Sequence, residues 1–135
     1  MSKTGIKEKL RITPKGWITY KLSTPRGVIE GKIDNLVVPN AKTIIAKALY
    51  GASLVDNMSA YATSSLLATT TCSGSLSAPD SVMFVGEFDE ASFNGTLDEL
   101  RLESSSDGSF SEITGLSIAK DNLSRLSIVW TIQLT

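Results

Sequence analysis

The sequence reads as a mainly β domain, an antiparallel β-sandwich or jelly-roll-like fold with one short α-helix. Three features point there. The C-terminal run alternates strictly, with Leu126, Ile128, Trp130, Ile132 and Leu134 on one face and Ser127, Val129, Thr131 and Gln133 on the other. Such a period of 2 marks a half-buried strand. Several other runs rich in β-branched and aromatic residues are separated by Gly, Pro, Asn and Asp turn signals. Only one segment, residues 40–50, carries a helical period.

The elements follow in chain order. Residues 1–13 form an extended basic N-terminal arm, in which 7–12 (KEKLRI) alternate weakly; residues 14–135 form a single domain. After Pro14 and Gly16, Trp17–Leu22 is a strand, Thr24-Pro25-Arg26-Gly27 a turn with proline at its second position, and Val28, Ile29, Gly31 and Ile33 the returning strand. Leu36-Val37-Val38 is a short apolar run. Asn40 then caps a helix whose Ile44, Ile45, Ala48 and Leu49 fall on one stripe, with Gly51 as the stop.

Residues 57–79 read differently. Nine of the fifteen residues from Thr63 to Ser77 are Ser or Thr, and no charge occurs from Met58 to Pro79. Part of it, Ala60 to Leu67, has strand character; the rest predicts a long Ser/Thr-rich loop, whose uncharged surface suits packing against a neighbouring protein. Strands resume at Val82–Phe88, at Thr96–Glu103 after the Asn94-Gly95 turn, at 110–118 after Asp107-Gly108, and at Leu126–Leu134. Gly115 suggests a bulge. The total is about eight strands.

Composition narrows the chemistry. Of 135 residues none is His, and Cys72 is the single Cys. An internal disulfide, a Cys/His metal cluster and a Ser-His-Asp or Cys-His constellation are therefore excluded, and the expectation is a protein that is not an enzyme and needs no cofactor. No apolar run approaches the ~20 residues of a membrane span, and charge instead of an apolar stretch follows the N-terminus, so no secretory leader is expected.

Charge is unevenly placed. Residues 1–50 hold ten Lys/Arg against three acids, a net of +7, and residues 51–135 hold three against eleven, a net of −8. This division suits docking of a basic segment onto another chain. The partner-contact candidates are Lys3, Lys7, Lys9, Arg11, Lys15 and Trp17. Only Trp17, Tyr20 and Tyr50 supply aromatics to the basic half, with no nucleic-acid-binding motif, which weighs against nucleic acid. Glu87, Asp89, Glu90, Asp98 and Glu99 cluster in sequence without a calcium-loop pattern, so they read as solvated or partner-facing acids. Trp130 reads as core, and Cys72 as an inert thiol.

The order of segments carries a resemblance. Val82-Met83-Phe84-x-Gly-Glu-Phe precedes Asn94-Gly95-Thr96-Leu97-Asp98-Glu99-Leu100-x-Leu102, then Asp107-Gly108, Leu116-x-Ile118-x-Lys120 and a closing Leu126-Ser127-Ile128-Val129-Trp130-Thr131-Ile132. Upstream stands Asn35-Leu36-Val37-Val38-x-Asn40-Ala41 before a short helix. Over roughly residues 28–134 this resembles small virion structural proteins of tailed bacteriophages. The resemblance implies a location in the virion, assembled in the host bacterial cytoplasm. It implies partners that are other virion proteins (capsid or tail subunits) and copies of the chain itself. The expected role is a head-surface accessory (decoration or cement) protein. The alternatives are a tail, neck or fibre-base component, and a β-sandwich receptor- or glycan-binding module.

Overall fold

The computed structural model describes residues 14–37, 40–49, 51 and 54–134. In chain order the elements are β1 (Pro14–Thr24), β2 (Gly27–Val37), α1 (Asn40–Ala48), β3 (Val55–Ala62), β4 (Ser65–Ala78) and β5 (Ser81–Phe88). There follow β6 (Gly95–Leu97), β7 (Glu99–Ser104), β8 (Gly108–Ile113), β9 (Ile118–Lys120) and β10 (Arg125–Leu134). Eight of them curl into a ring in the order β1-β10-β5-β4-β3-β7-β8-β2, and β6 pairs with β9 separately. All pairings are antiparallel. The mainly β fold with one short helix is as the sequence predicts.

The ring reconciles a sandwich with a closed sheet. β4 pairs with β3 through residues 65–71 and with β5 through 72–78. β2 likewise pairs with β1 through 27–35 and reaches β8 only at Leu36 and Val37. These two long strands pass from one sheet to the other and form the corners. Beyond the corners each leaves a length of edge without a partner among the described residues.

Turn chemistry explains the first hairpin. The Thr24 hydroxyl accepts from the Arg26 N–H at 3.1 Å and donates to the Gly27 carbonyl at 2.9 Å, while Pro25 presets its own φ. The interior is then set by alternation: Ile18 and Leu22 of β1 and Leu126, Ile128, Trp130 and Ile132 of β10 are buried. Facing them are Met58 and Ala60 of β3, Phe88 of β5, and Leu100 and Leu102 of β7. Trp130 lies in the core, as expected. Tyr20 is on the same face of β1 as Ile18, and its ring lies directly on Gly31 of β2, its register partner; a Cβ there would come within 2.4 Å of the ring.

One end of the ring is plugged by the β6–β9 pair, with Phe93, Leu97, Leu116 and Ile118 buried. The Phe93 ring meets Phe88 edge-on at 5.7 Å. The other end carries α1. Ala41 and Ile44 are buried, and the helix stops where Gly51, at φ 78°, donates its N–H to the Ala48 carbonyl. Lys47 ties the helix to Asp107 before β8 at 2.6 Å.

Three expectations change. The loop expected over 57–79 is instead the β3–β4 hairpin. Its turn residues, Thr63 and Ser64, both take positive φ, 51° and 65°, the mirror-type conformation that two-residue hairpins favour and that Asn-Gly adopts most easily. Asp98 holds them there: its carboxylate accepts the Thr63 N–H at 2.8 Å and its own N–H donates to the Tyr61 carbonyl at 2.9 Å. The same Asp98 interrupts the strand expected at 96–103, which becomes β6 and β7. The strand expected at 110–118 ends at Ile113, and Gly115, at φ 74°, lies in the bend before β9 and not in a bulge within a strand. The described residues thus hold ten strands where about eight are predicted.

Candidate interaction surface

At the α1 end the ring is incompletely filled. Inner-face residues of β4, β5 and β10 meet the helix around a concavity of about 480 Å³. Its walls include Ile44 and Leu49 from the helix segment, Leu54 before β3, Leu76 of β4, Phe84 of β5 and Ile132 of β10. Among the described residues no ionisable side chain lines it. The apolar stripe expected on the helix is therefore used in two ways. Ile44 is buried, whereas Leu49 is 86% exposed, and Leu76 and Leu54 across the concavity are 75% and 69% exposed. Large apolar side chains grouped in this way mark a surface that another molecule covers.

Of the sequence candidates, Lys3, Lys7, Lys9 and Arg11 lie outside the described residues. Lys15 is exposed at the start of β1. Trp17 is on the outer face, because Ile18, Tyr20 and Leu22 occupy the inner one, and Lys32 Nζ stands 5.4 Å from its ring centroid. Pro14, where β1 begins, is paired with Leu134, itself a wall of the concavity. Pro14 thus stands at the same end of the ring as the apolar opening, and Lys15 and Trp17 follow it along β1.

The acidic residues that cluster in sequence are taken up by local partners, with Glu87 and Glu90 sharing one arginine. Arg125 takes Glu87 at 3.2 Å and Glu90 at 3.0 Å. A backbone hydrogen bond, then Arg125, hold the Glu90 carboxyl below its ordinary pKa. Asp89 caps its own turn by accepting the Ala91 N–H at 3.1 Å. Asp98 serves the β3–β4 turn. Glu99 pairs with Arg101 at 2.6 Å, and that hydrogen bond raises the guanidinium pKa. Among the described residues no three Asp, Glu or Cys side chains converge as a metal-binding group.

Two side chains carry unusual environments. Cys72 is half-buried on the inner side of β4, and burial, then Asp56, push its thiol pKa up to about 11. That keeps it protonated and unreactive near neutrality. Lys120 is only 2% exposed. Its Nζ donates to the carbonyls of Glu90 (3.1 Å), Phe93 (3.0 Å) and Asp121 (3.1 Å) and lies 5.0 Å from the Phe93 ring centroid. Burial lowers its pKa, against Asp89, Asp121 and Glu90, which raise it. With all three donors committed to main-chain acceptors, this lysine fastens the 89–93 segment to β9. The sequence offers no sign of that role beyond the Lys itself.

Among the described residues no helix is long and apolar enough to cross a membrane. Compared with protein-family models, curated proteins and solved structures, the chain matches none.

Proposed function

We infer that the chain is a bacteriophage virion structural protein, a head-surface accessory (decoration or cement) protein that binds and stabilises the capsid shell through protein–protein contacts. The observation that carries this reading is the character of the concavity. Among the described residues it is apolar, lined by no ionisable side chain and rimmed by exposed leucines, which suits adhesion to protein. The order of segments resembling tailed-phage virion proteins supports the same class. In the mechanism, the ring is a rigid footprint, and the basic residues Lys3, Lys7, Lys9 and Arg11 reach from its α1 end to an acidic neighbour.

The alternative placements in the particle are tail, neck or fibre base. A receptor- or glycan-binding module is favoured by one feature, the outward Trp17 beside Lys32.

The test uses purified shells assembled without this chain. Labelled wild type is expected to co-sediment with them in stoichiometric amounts, less so as salt rises from low to high. The triple reversal Lys7→Glu, Lys9→Glu, Arg11→Glu is expected to lose binding while the ring stays folded. Undiminished binding by that variant overturns the arm mechanism. Binding only to tails moves the site within the particle, and binding to glycans with none to particles overturns the virion reading.

A further inference from the structure

We propose that the outer end of β4, together with the apolar opening it borders, is a self-association surface through which two copies of the chain pair β4 to β4 about a two-fold axis. The inference goes beyond the particle assignment, because the edge exists wherever the chain resides.

The first observation is an open edge. Cys72–Ala78 pair with β5 on one side, and among the described residues none pairs with 73–78 on the other. Every second N–H and C=O of that stretch therefore points away from the sheet. Ser73–Ala78 are all exposed.

The second observation is the contrast between the two edges. Natural sheets blunt their edges with charge, proline or irregularity. The β2 edge does so with Glu30, Lys32 and Asp34, exposed in alternation. Antiparallel self-pairing centred on Lys32 would set Glu30 against Asp34, like against like. The β4 edge, Ser73-Gly74-Ser75-Leu76-Ser77-Ala78, has no charge and no proline, and its one irregularity falls at its far end, between Leu76 and Ala78. Self-pairing centred near Ser75 sets Ser73 against Ser77 and Gly74 against Leu76, with no opposed charges. The strand is self-complementary in the sense a two-fold contact demands.

The third observation is continuity with the apolar opening. Gly74 and Leu76 point to the inner side of β4 and line it with Leu49 and Leu54. Adding a second β4 to this edge extends the sheet and covers those leucines. A short strand pair with a few leucines falls at the small end of specific interfaces, so the dimer is expected to be reversible, with a Kd on the order of 10 μM. A two-fold contact closes on itself and gives dimers, not fibres.

The experiment is sedimentation velocity on the full chain from low to high micromolar concentration. Wild type is expected to shift from monomer to dimer. Ser75→Lys is expected to remain monomeric, and so is Ser75→Glu. Mixing the two restores the dimer, because only a two-fold contact brings position 75 close to itself. Near-UV circular dichroism checks that the variants keep the wild-type core; if Ser75→Lys does not fold, Ser77→Lys and Ser77→Glu replace the pair. The triple arm reversal Lys7→Glu, Lys9→Glu, Arg11→Glu is expected to dimerise as wild type does. Four results overturn the proposal: a wild type that is monomeric throughout, a lysine variant that dimerises normally, loss of the dimer on arm reversal, or a co-purified small apolar ligand filling the opening in native mass spectrometry.

Discussion

Replacing Gly31 by alanine probes how the β1–β2 hairpin is built. The added Cβ would approach Tyr20 Cε1 at 2.4 Å and Cζ and Oη at 2.6 Å. Unstrained carbon pairs sit at about 3.5–4.0 Å, so the ring must retreat by roughly 1 Å or more. Inward lie Ile18 and Leu22, already buried, which leaves only outward rotation. A tyrosine buries about 150–250 Å². Re-exposing some 80 Å² of that at about 25 cal/mol/Å² costs roughly 2 kcal/mol. Alanine returns about 0.5–1 kcal/mol by removing a glycine from a strand. The net expectation is a loss of about 1–1.5 kcal/mol. In a Tyr20→Ala background the clash is absent and Gly31→Ala is expected to stabilise by about 0.5 kcal/mol. Urea unfolding followed by tryptophan fluorescence reads both, as midpoint shifts at unchanged slope, and the cycle isolates a coupling of about 2 kcal/mol. An equal effect of Gly31→Ala in both backgrounds would refute the placement of the ring.

Other perturbations follow from side chains with identified partners. Lys120→Met removes the shared donor of three carbonyls and is expected to cost about 3 kcal/mol, a fall of roughly 10 °C in thermal midpoint; an unchanged melt would show that relief of the buried charge offsets the lost hydrogen bonds. Cys72, with its pKa at about 11 against an ordinary 9.0, carries about 100-fold less thiolate at pH 8 than in the unfolded chain. The greater nucleophilicity of a more basic thiolate returns part of this, so native-state reaction with a disulfide reagent is expected to be at least about tenfold slower than in urea; an equal rate would contradict the burial. Glu90 and Asp121 have folded pKa values below their ordinary 4.5 and 3.8, Glu90 through a backbone hydrogen bond and then Arg125, Asp121 through the Leu123 N–H and then Ser124. Their contribution is complete above those ordinary values and is lost as pH falls through the depressed ones. Glu90→Gln is therefore expected to flatten the acid limb of thermal stability below about pH 4.5, and an unaltered limb would show that the Arg125 pair does not contribute.

What could be read in the sequence was what is local. β1, β2, β5 and β10 carry alternation on half-buried faces, and their turns use Pro25 or Gly where the backbone needs them. The helix was equally legible from its stripe and from Gly51. The β3–β4 hairpin was not, because β4 is largely exposed and so has no apolar alternation to detect. Its turn is Thr63-Ser64, which carries no glycine or asparagine; Asp98, 35 residues away, holds it. That distant contact also splits β6 from β7, so a single non-local hydrogen-bonding residue accounts for two misread elements. Period 2 did contain the placement of Trp17, since Ile18, Tyr20 and Leu22 claim the inside. The apolar opening was hidden for another reason: Leu49 falls on the helix stripe and Leu76 in the Ser/Thr-rich segment expected as a loop, and only the closed geometry brings the two together at the place where the core ends.

The role as a structural component is tested most directly by counting. Quantitative mass spectrometry of phage particles, purified from cells in which the chain is made in its native context, gives its copy number against the major shell subunit. A head-surface accessory protein requires hundreds of copies per particle, removable with salt while the shell remains intact. Absence of the chain from purified particles would end the virion reading.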